Sequence, residues 1–241
     1  MKTIITPLLL FTLLIAVSCS DDDVDGFGPV ITEELQLASF QNVDFQIAGV
    51  VNIKQGPVQQ VMVTSQANII QSLNTRVVNN TWEINFGSNG SYNYRVMEIT
   101  ITLPNVSGIA LSGSGSMTLE AFENQSELQI ALLGSGNMDI EQLVGSNRVT
   151  VDLAGSGTIN VARESSLLEN LEISISGSGS FRGFSLPARN CSTSITGSGN
   201  TEVTVNEELD GIISGSGSIF YMGRPQISIN ITGSGRVVDA N

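Results

Sequence analysis

From about Phe40 to the C-terminal end, apolar and polar residues alternate with a period of two. In one stretch Ile109, Leu111, Met117 and Leu119 share one parity, while Ala110, Ser112, Ser114, Ser116 and Thr118 share the other. The next stretch repeats the pattern, with Ile130, Leu132, Met138 and Ile140 set against Ala131, Leu133, Ser135, Asn137 and Asp139. A period of two predicts a β-strand with one buried face, because successive side chains point to opposite sides of the pleated backbone. Between the two halves of each stretch stands Gly-Ser-Gly. The triplet occurs seven times, beginning at Gly113, Gly134, Gly155, Gly177, Gly197, Gly215 and Gly233, at spacings of 21, 21, 22, 20, 18 and 18 residues. A motif recurring at this interval marks a solenoid.

The alternation crosses Gly-Ser-Gly without changing phase, so both glycines fall on the inward parity and the serine points out. Glycine suits a bend at a corner of the coil, where the cross-section leaves no room for an inward Cβ. The competing reading, a flexible Gly/Ser linker, does not account for in-phase Ile, Leu and Val on both sides of every copy. The expected fold is therefore all-β, a right-handed parallel β-helix with a Gly-Ser-Gly corner in each coil of about twenty residues. At about 3.3 Å per residue such a coil has a perimeter of about 60 Å, enough for two or three short strands with corners. One coil alone cannot offset its ordering entropy, since its aliphatic residues are buried only by the coils above and below. The stack can.

The same alignment predicts the setting of Cys191. It stands six residues before Gly197, and the equivalent residues of the other copies are Ser107, Leu128, Val149, Leu171, Leu209 and Ile227. Five of those six are aliphatic, so Cys191 is expected in an inward column as a small hydrophobe. Before the first copy the alternation continues without the triplet, through Val43, Phe45 and Ile47, Val61 and Val63, Trp82, Ile84 and Phe86, then Ile99, Ile101 and Leu103. This stretch reads as first coils or a β-cap on the same core, since a solenoid needs its ends covered. Residues 87–94 read as a protruding loop carrying Tyr92 and Tyr94, either a recognition loop or a plain hairpin tip. Trp82 fits the strand pattern and is expected in the core.

The N-terminal end changes the picture of location. Lys2 is followed by an apolar run from Ile4 to Val17, too short to span a bilayer but suited to a secretory signal. Ala16-Val17-Ser18-Cys19 resembles the lipobox of bacterial lipoproteins, although Ala16 stands where Leu is usual. Residues 1–18 are thus expected to be removed and Cys19 acylated, with ordinary secretion as the alternative. Residues 19–34, with Asp21, Asp22, Asp23 and Asp25, read as an acidic solvated tether to outer-membrane lipid. An acidic run directly after the lipidated Cys points to the cell surface, and a periplasm-facing protein is the alternative. Residues 35–241 form a single β-helix domain, with 35–106 as N-terminal coils or cap and 107–241 as the repeats.

The repeated strand entering Gly-Ser-Gly resembles a known family, as do Val50-Val51-Asn52-Ile53-Lys54-Gln55-Gly56, Leu103-Pro104 and Tyr221-Met222-Gly223-Arg224-Pro225. The resemblance is to the putative auto-transporter adhesin, head GIN domain family of bacterial envelope proteins, and it covers about Phe40 to Val238. It implies a β-helical fold outside the cytoplasm and a role in adhesion; it brings no catalytic residues.

Composition excludes several kinds of chemistry. The chain has 10 basic and 23 acidic residues and no His. That balance disfavours nucleic acid, whose phosphates require Lys and Arg. A serine triad needs a His. Beyond Lys2, Lys54 is the one Lys available for a Ser–Lys pair. Zinc needs His or several Cys. Gly-Ser-Gly lacks the setting of a dinucleotide fingerprint, and no P-loop is present. A calcium β-roll needs Asp in every coil, but the positions equivalent to Asp139 hold Thr118, Asn160, Arg182, Glu202, Phe220 and Val238. Paired carboxylates for sugar cleavage fare little better, since the outward Asp139, Glu141, Asp152 and Glu202 fall in different columns. No enzyme and no cofactor are expected. The candidate binding surface is the outward column Ser114, Ser135, Ser156, Ser178, Ser198, Ser216 and Ser234, read as a flat hydroxyl-rich face for a glycan or protein. The rivals are a structural envelope protein that homo-oligomerises through this face and, more weakly, a polysaccharide-modifying enzyme.

Overall fold

The computed structural model describes residues 23–241. The signal, the lipobox and Cys19 lie outside them. The chain forms a β-solenoid of about 6 turns with coils of about 21 residues, 62% strand and 2% helix.

Two parallel ladders run the length of the stack, one on each side of the Gly-Ser-Gly bend. The first pairs Asn42–Phe45 with Gly108–Leu111, then Glu127–Leu132, Arg148–Gly155 and Leu168–Gly177. It continues through the C-terminal halves of Ser180–Gly197 and Asn200–Gly215 to Gln226–Gly233. The second pairs Val50–Gln55 with Ser116–Leu119, Asn137–Ile140 and Thr158–Val161. It continues through residues 180–183 and 200–205 to Ser218–Gly223 and Arg236–Asp239. Register follows the sequence alignment residue for residue, with Gly155, Gly177, Gly197, Gly215 and Gly233 directly paired in turn. A third side, Phe122–Glu123 on Leu143–Val144, is found only in the earlier coils. Later strands run on without it, which accounts for the shortening of the coil to 18 residues.

Inward residues make one continuous core. Ile109, Leu111, Met117, Leu119, Ile130, Leu132, Met138 and Ile140 are all buried. Cys191 is packed between Leu171 and Leu209 in adjacent coils, as the alignment predicts, and is 3% exposed. Burial pushes its thiol up to about 12.

The N-terminal region is both coil and cap, in an order that the sequence does not announce. Asn42–Phe45 and Val50–Gln55 form a regular coil. Residues that follow them in sequence, Thr81–Ile84 and Glu98–Leu103, pair on the outer side of that coil, away from the repeats. Outside these, Gln60–Gln66 pairs antiparallel with Glu98–Leu103 and Val30–Glu34 antiparallel with Gln60–Gln66. The five-residue helix Ala67–Gln71 buries Ile69 and Ile70 beneath the cap. Trp82 is fully buried, its indole N–H donating to the Asn74 carbonyl at 2.9 Å.

The tether expected over 19–34 needs correction. From Val24 onward the chain is part of the fold: Val24–Asp25 pairs with Tyr92–Asn93 and Val30–Glu34 is a sheet strand. The acidic composition of the segment does not prevent this, because an edge strand gains ladder hydrogen bonds while its carboxylates stay in water.

Candidate binding face

Each coil delivers one serine to the same place. The first glycine of a triplet lies against the carbonyl of the first glycine in the preceding coil: a Cβ built on Gly177 would lie 2.5 Å from the Gly155 oxygen. In the last five copies this glycine also has positive φ, +119° to +133°. The second glycine lies over an inward aliphatic of the preceding coil: a Cβ on Gly157 would lie 2.6 Å from Leu132 Cδ2, and one on Gly217 2.7 Å from Ile195 Cγ2. With both flanking positions held down in this way, the intervening serine has only the outward direction left.

All seven serines, Ser114 to Ser234, are exposed and form a single row. Their backbones are fixed by cross-coil bonds, Ser178 N–H to Gly155 at 2.9 Å, Ser198 N–H to Gly177 and Ser216 N–H to Gly197 at 2.8 Å. The Ser216 and Ser234 hydroxyls are hydrogen-bonded to each other at 3.0 Å. The row runs along the bend between the two ladders, so it is a corner and not the middle of a flat sheet.

The first ladder's outer face lies beside this corner, and sequence reasoning passed over it. A depression of about 280 Å³ is floored by Gly108, Ala110 and Ala131 and edged by Asn42, Asp44, Thr81, Gln129 and Asp152. Asp44 is already engaged, accepting from the Ser112 hydroxyl at 2.8 Å and the Gln46 amide at 2.7 Å. Further along the same face, Thr150, Asp152, Glu172, Ser174, Ser192 and Ser194 surround a second depression of about 260 Å³. Alternation marks each of these residues as outward; their grouping depends on cross-coil register.

Tyr92 and Tyr94 are half-buried. Tyr92 stacks on Phe86 with centroids 3.7 Å apart, and its hydroxyl is 2.6 Å from Ser88 Oγ. Tyr94 donates to the Ala48 carbonyl at 2.7 Å, and burial pushes its phenol up. Tyr92 thus packs on Phe86 of the cap, and Tyr94 is tied to Ala48 of the first coil. Of the outward carboxylates, Asp139 on the second ladder accepts from Asn160 at 3.1 Å, Glu141 just beyond that strand pairs with Arg163, and Asp152 lies on the first ladder. Among the described residues no group of three or more His, Cys, Asp and Glu is gathered for a metal, and no helix is long and apolar enough to cross a membrane.

By class the fold is a parallel β-solenoid with a polar, serine-bearing corner in each repeat. The family model described as putative auto-transporter adhesin, head GIN domain, matches residues 39–225, and the chain belongs to this family. Membership marks it as a cell-surface or envelope protein of the adhesin type. No curated protein matches the chain. Among solved structures it is similar to a putative adhesin from Bacteroides fragilis NCTC 9343, at 24% identity and TM-score 0.80 over 89% of this chain and 98% of that one. It is also similar to a putative lipid binding protein from Parabacteroides distasonis ATCC 8503, at 22% identity and TM-score 0.67 over 90% and 100%. A putative adhesin from Parabacteroides merdae ATCC 43184 matches at 19% identity and TM-score 0.68, over the same shares.

Proposed function

We propose that the chain is a surface-displayed, lipid-anchored binding module without enzymatic activity. In this reading Cys19, acylated after removal of residues 1–18, holds it to outer-membrane lipid, and the serine row with the polar face beside it meets a glycan or a protein. The observation that carries the reading is the row itself: seven exposed hydroxyls on a backbone already immobilised by cross-coil bonds. A hydroxyl both donates and accepts, and serine has little rotamer freedom to lose, so such a row engages a repeating polar ligand at low entropic cost. A formal charge of −13 favours neutral or cationic ligands over polyanions. The lipid-binding description of the P. distasonis neighbour raises a lipid ligand. Against that for this chain, the depressions are edged by Asp, Asn, Thr, Gln and Ser, which an acyl chain would desolvate without compensation.

Protease shaving of intact cells tests the display. Loss of the protein from whole cells is expected, and protection until the outer membrane is opened would overturn it. The ligand-binding part is tested on glycan and host-matrix arrays with the wild type and a Ser156→Arg/Ser178→Arg variant. Binding that the variant loses supports the row as the site. No binding, with a stable oligomer burying the row, would replace this reading by a structural envelope protein, and shortening of a polysaccharide by an enzyme.

A further inference from the structure

The two ends of the solenoid are finished differently. At the N-terminal end the second ladder closes with Val30–Glu34, which ends in Glu33 and Glu34, and the first closes with the two-residue pairing of Val77–Val78 on the Thr81–Ile84 strand. At the C-terminal end the second ladder closes with Arg236–Asp239, and the Asn241 amide bonds both the N–H and the carbonyl of Gly223 at 2.9 and 3.0 Å. The outer edge of that strand is unpaired among the described residues, but it is four residues long and carries a charge at each end; the first ladder ends on a longer, uncharged strand. Gln226–Gly233 pairs with residues 208–215 on one edge, and among the described residues nothing pairs with its other edge. It is eight residues long and carries no charge, Pro or bulge, the devices that ordinarily blunt an edge strand. Of its inward residues Ile227 is 41% and Ile231 39% exposed and Ile229 is half-buried, whereas Leu209 and Ile213 one coil below are fully buried.

We infer that this strand is a self-association edge, pairing antiparallel with the same strand of a second copy about a two-fold axis at Ile229. The strand's own pattern selects that occupant. In antiparallel register centred on Ile229, Ile227 lies opposite the partner's Ile231, Ile229 opposite the partner's Ile229, and Ser228 opposite the partner's Asn230. Apolar residues meet apolar on the core side and polar meet polar on the water side. A two-fold axis through the sheet keeps inward faces on one side, so both cores merge. Such an isologous contact closes at two copies. Head-to-tail stacking would instead bring the eight-residue edge to the Val77–Val78 hairpin, which offers two residues. This association leaves the serine row uncovered and does not depend on the function proposed above.

Sedimentation of the full chain with Cys19→Ser across a dilution series tests the inference. Twice the monomer mass is expected, with Ile229→Lys sedimenting as a folded monomer. Directly opposed residues in an antiparallel pair lie about 4.5–5.5 Å apart between Cα atoms, within disulfide range. Ile229→Cys in the same background therefore oxidises to a covalent dimer, and Cys191, 3% exposed, does not compete. Ile227→Cys cross-links only when mixed with Ile231→Cys. A wild type that stays monomeric throughout, or a dimer that survives Ile229→Lys and cross-links through Ser216→Cys instead, overturns the inference.

Discussion

A methyl group is too large for either glycine of the repeat, for two separate reasons. At Gly177 it would meet the Gly155 carbonyl and require φ near +124°, which an L side chain rarely adopts. Gly177→Ala is therefore expected to cost about 2–4 kcal/mol in urea unfolding at constant m, against under about 0.5 kcal/mol for exposed Ser178→Ala. Cys191 offers a second residue-scale test. Its thiol is raised from an ordinary value of 9.0 to about 12 by burial, partly offset by contact with Thr193. The folded state thus holds the proton more tightly than the unfolded state does. That contribution to stability is complete below pH 9 and is lost as pH rises from 9 towards 12. Relative to Cys191→Val, the wild type should lose unfolding free energy across that window and show no difference in slope below it. Thiol reagents should label Cys191 only as fast as the protein unfolds.

Among the elements, the cap is the part least like its neighbours. Trp82 anchors it, buried between the first coil and the hairpin that follows, and its N–H satisfies the Asn74 carbonyl. Trp82→Phe keeps a ring but leaves the partly buried Asn74 carbonyl without its donor, at an expected cost of about 1 kcal/mol in denaturant unfolding. As the chain's single Trp, Trp82 should emit at short wavelength in the native state and shift red when the cap opens. Ligand binding at the serine corner should leave that emission unchanged. Period-two alternation identified the strands through Val61 and Val63, Trp82 and Ile84, and Ile99 to Leu103 with their inward residues, but not Val30–Glu34 or Val77–Val78. It carried no information on their order, because parity reports which face is buried and says nothing about which edge finds which neighbour.

For the whole molecule, charge and winding set the behaviour. The acidic residues that face outward are only partly paired, as in the Glu169–Arg189–Glu207 row at 3.2 and 2.6 Å across three coils. The chain should bind an anion exchanger tightly, pass unretained over heparin at low salt, and lose any affinity for cationic partners as ionic strength rises past the point where screening falls below about 10 Å. Elution of the purified chain against a salt gradient on both matrices checks this. Much of the candidate site was legible too. The glycine pair on the inward parity left each serine pointing out, and seven copies at intervals of 18 to 22 residues implied a row. The depression between Asp44 and Asp152 was not legible, because Asp44 reaches Ala110 only through a coil step of 66 residues in sequence.

By itself the amino-acid sequence determined the solenoid, its corner, the inward column that takes in Cys191, and the outward serines. These follow from local alternation and from steric demands that recur within every coil. Only the tertiary structure decided that Asn42–Gln55 lies between the repeats and strands that come after it, that Val24 onward joins the sheet, and that Gln226–Gly233 is left with an open edge. Each of these depends on hydrogen-bond partners brought together from distant parts of the chain, and strand edges, unlike strand faces, leave no periodic trace in the order of residues.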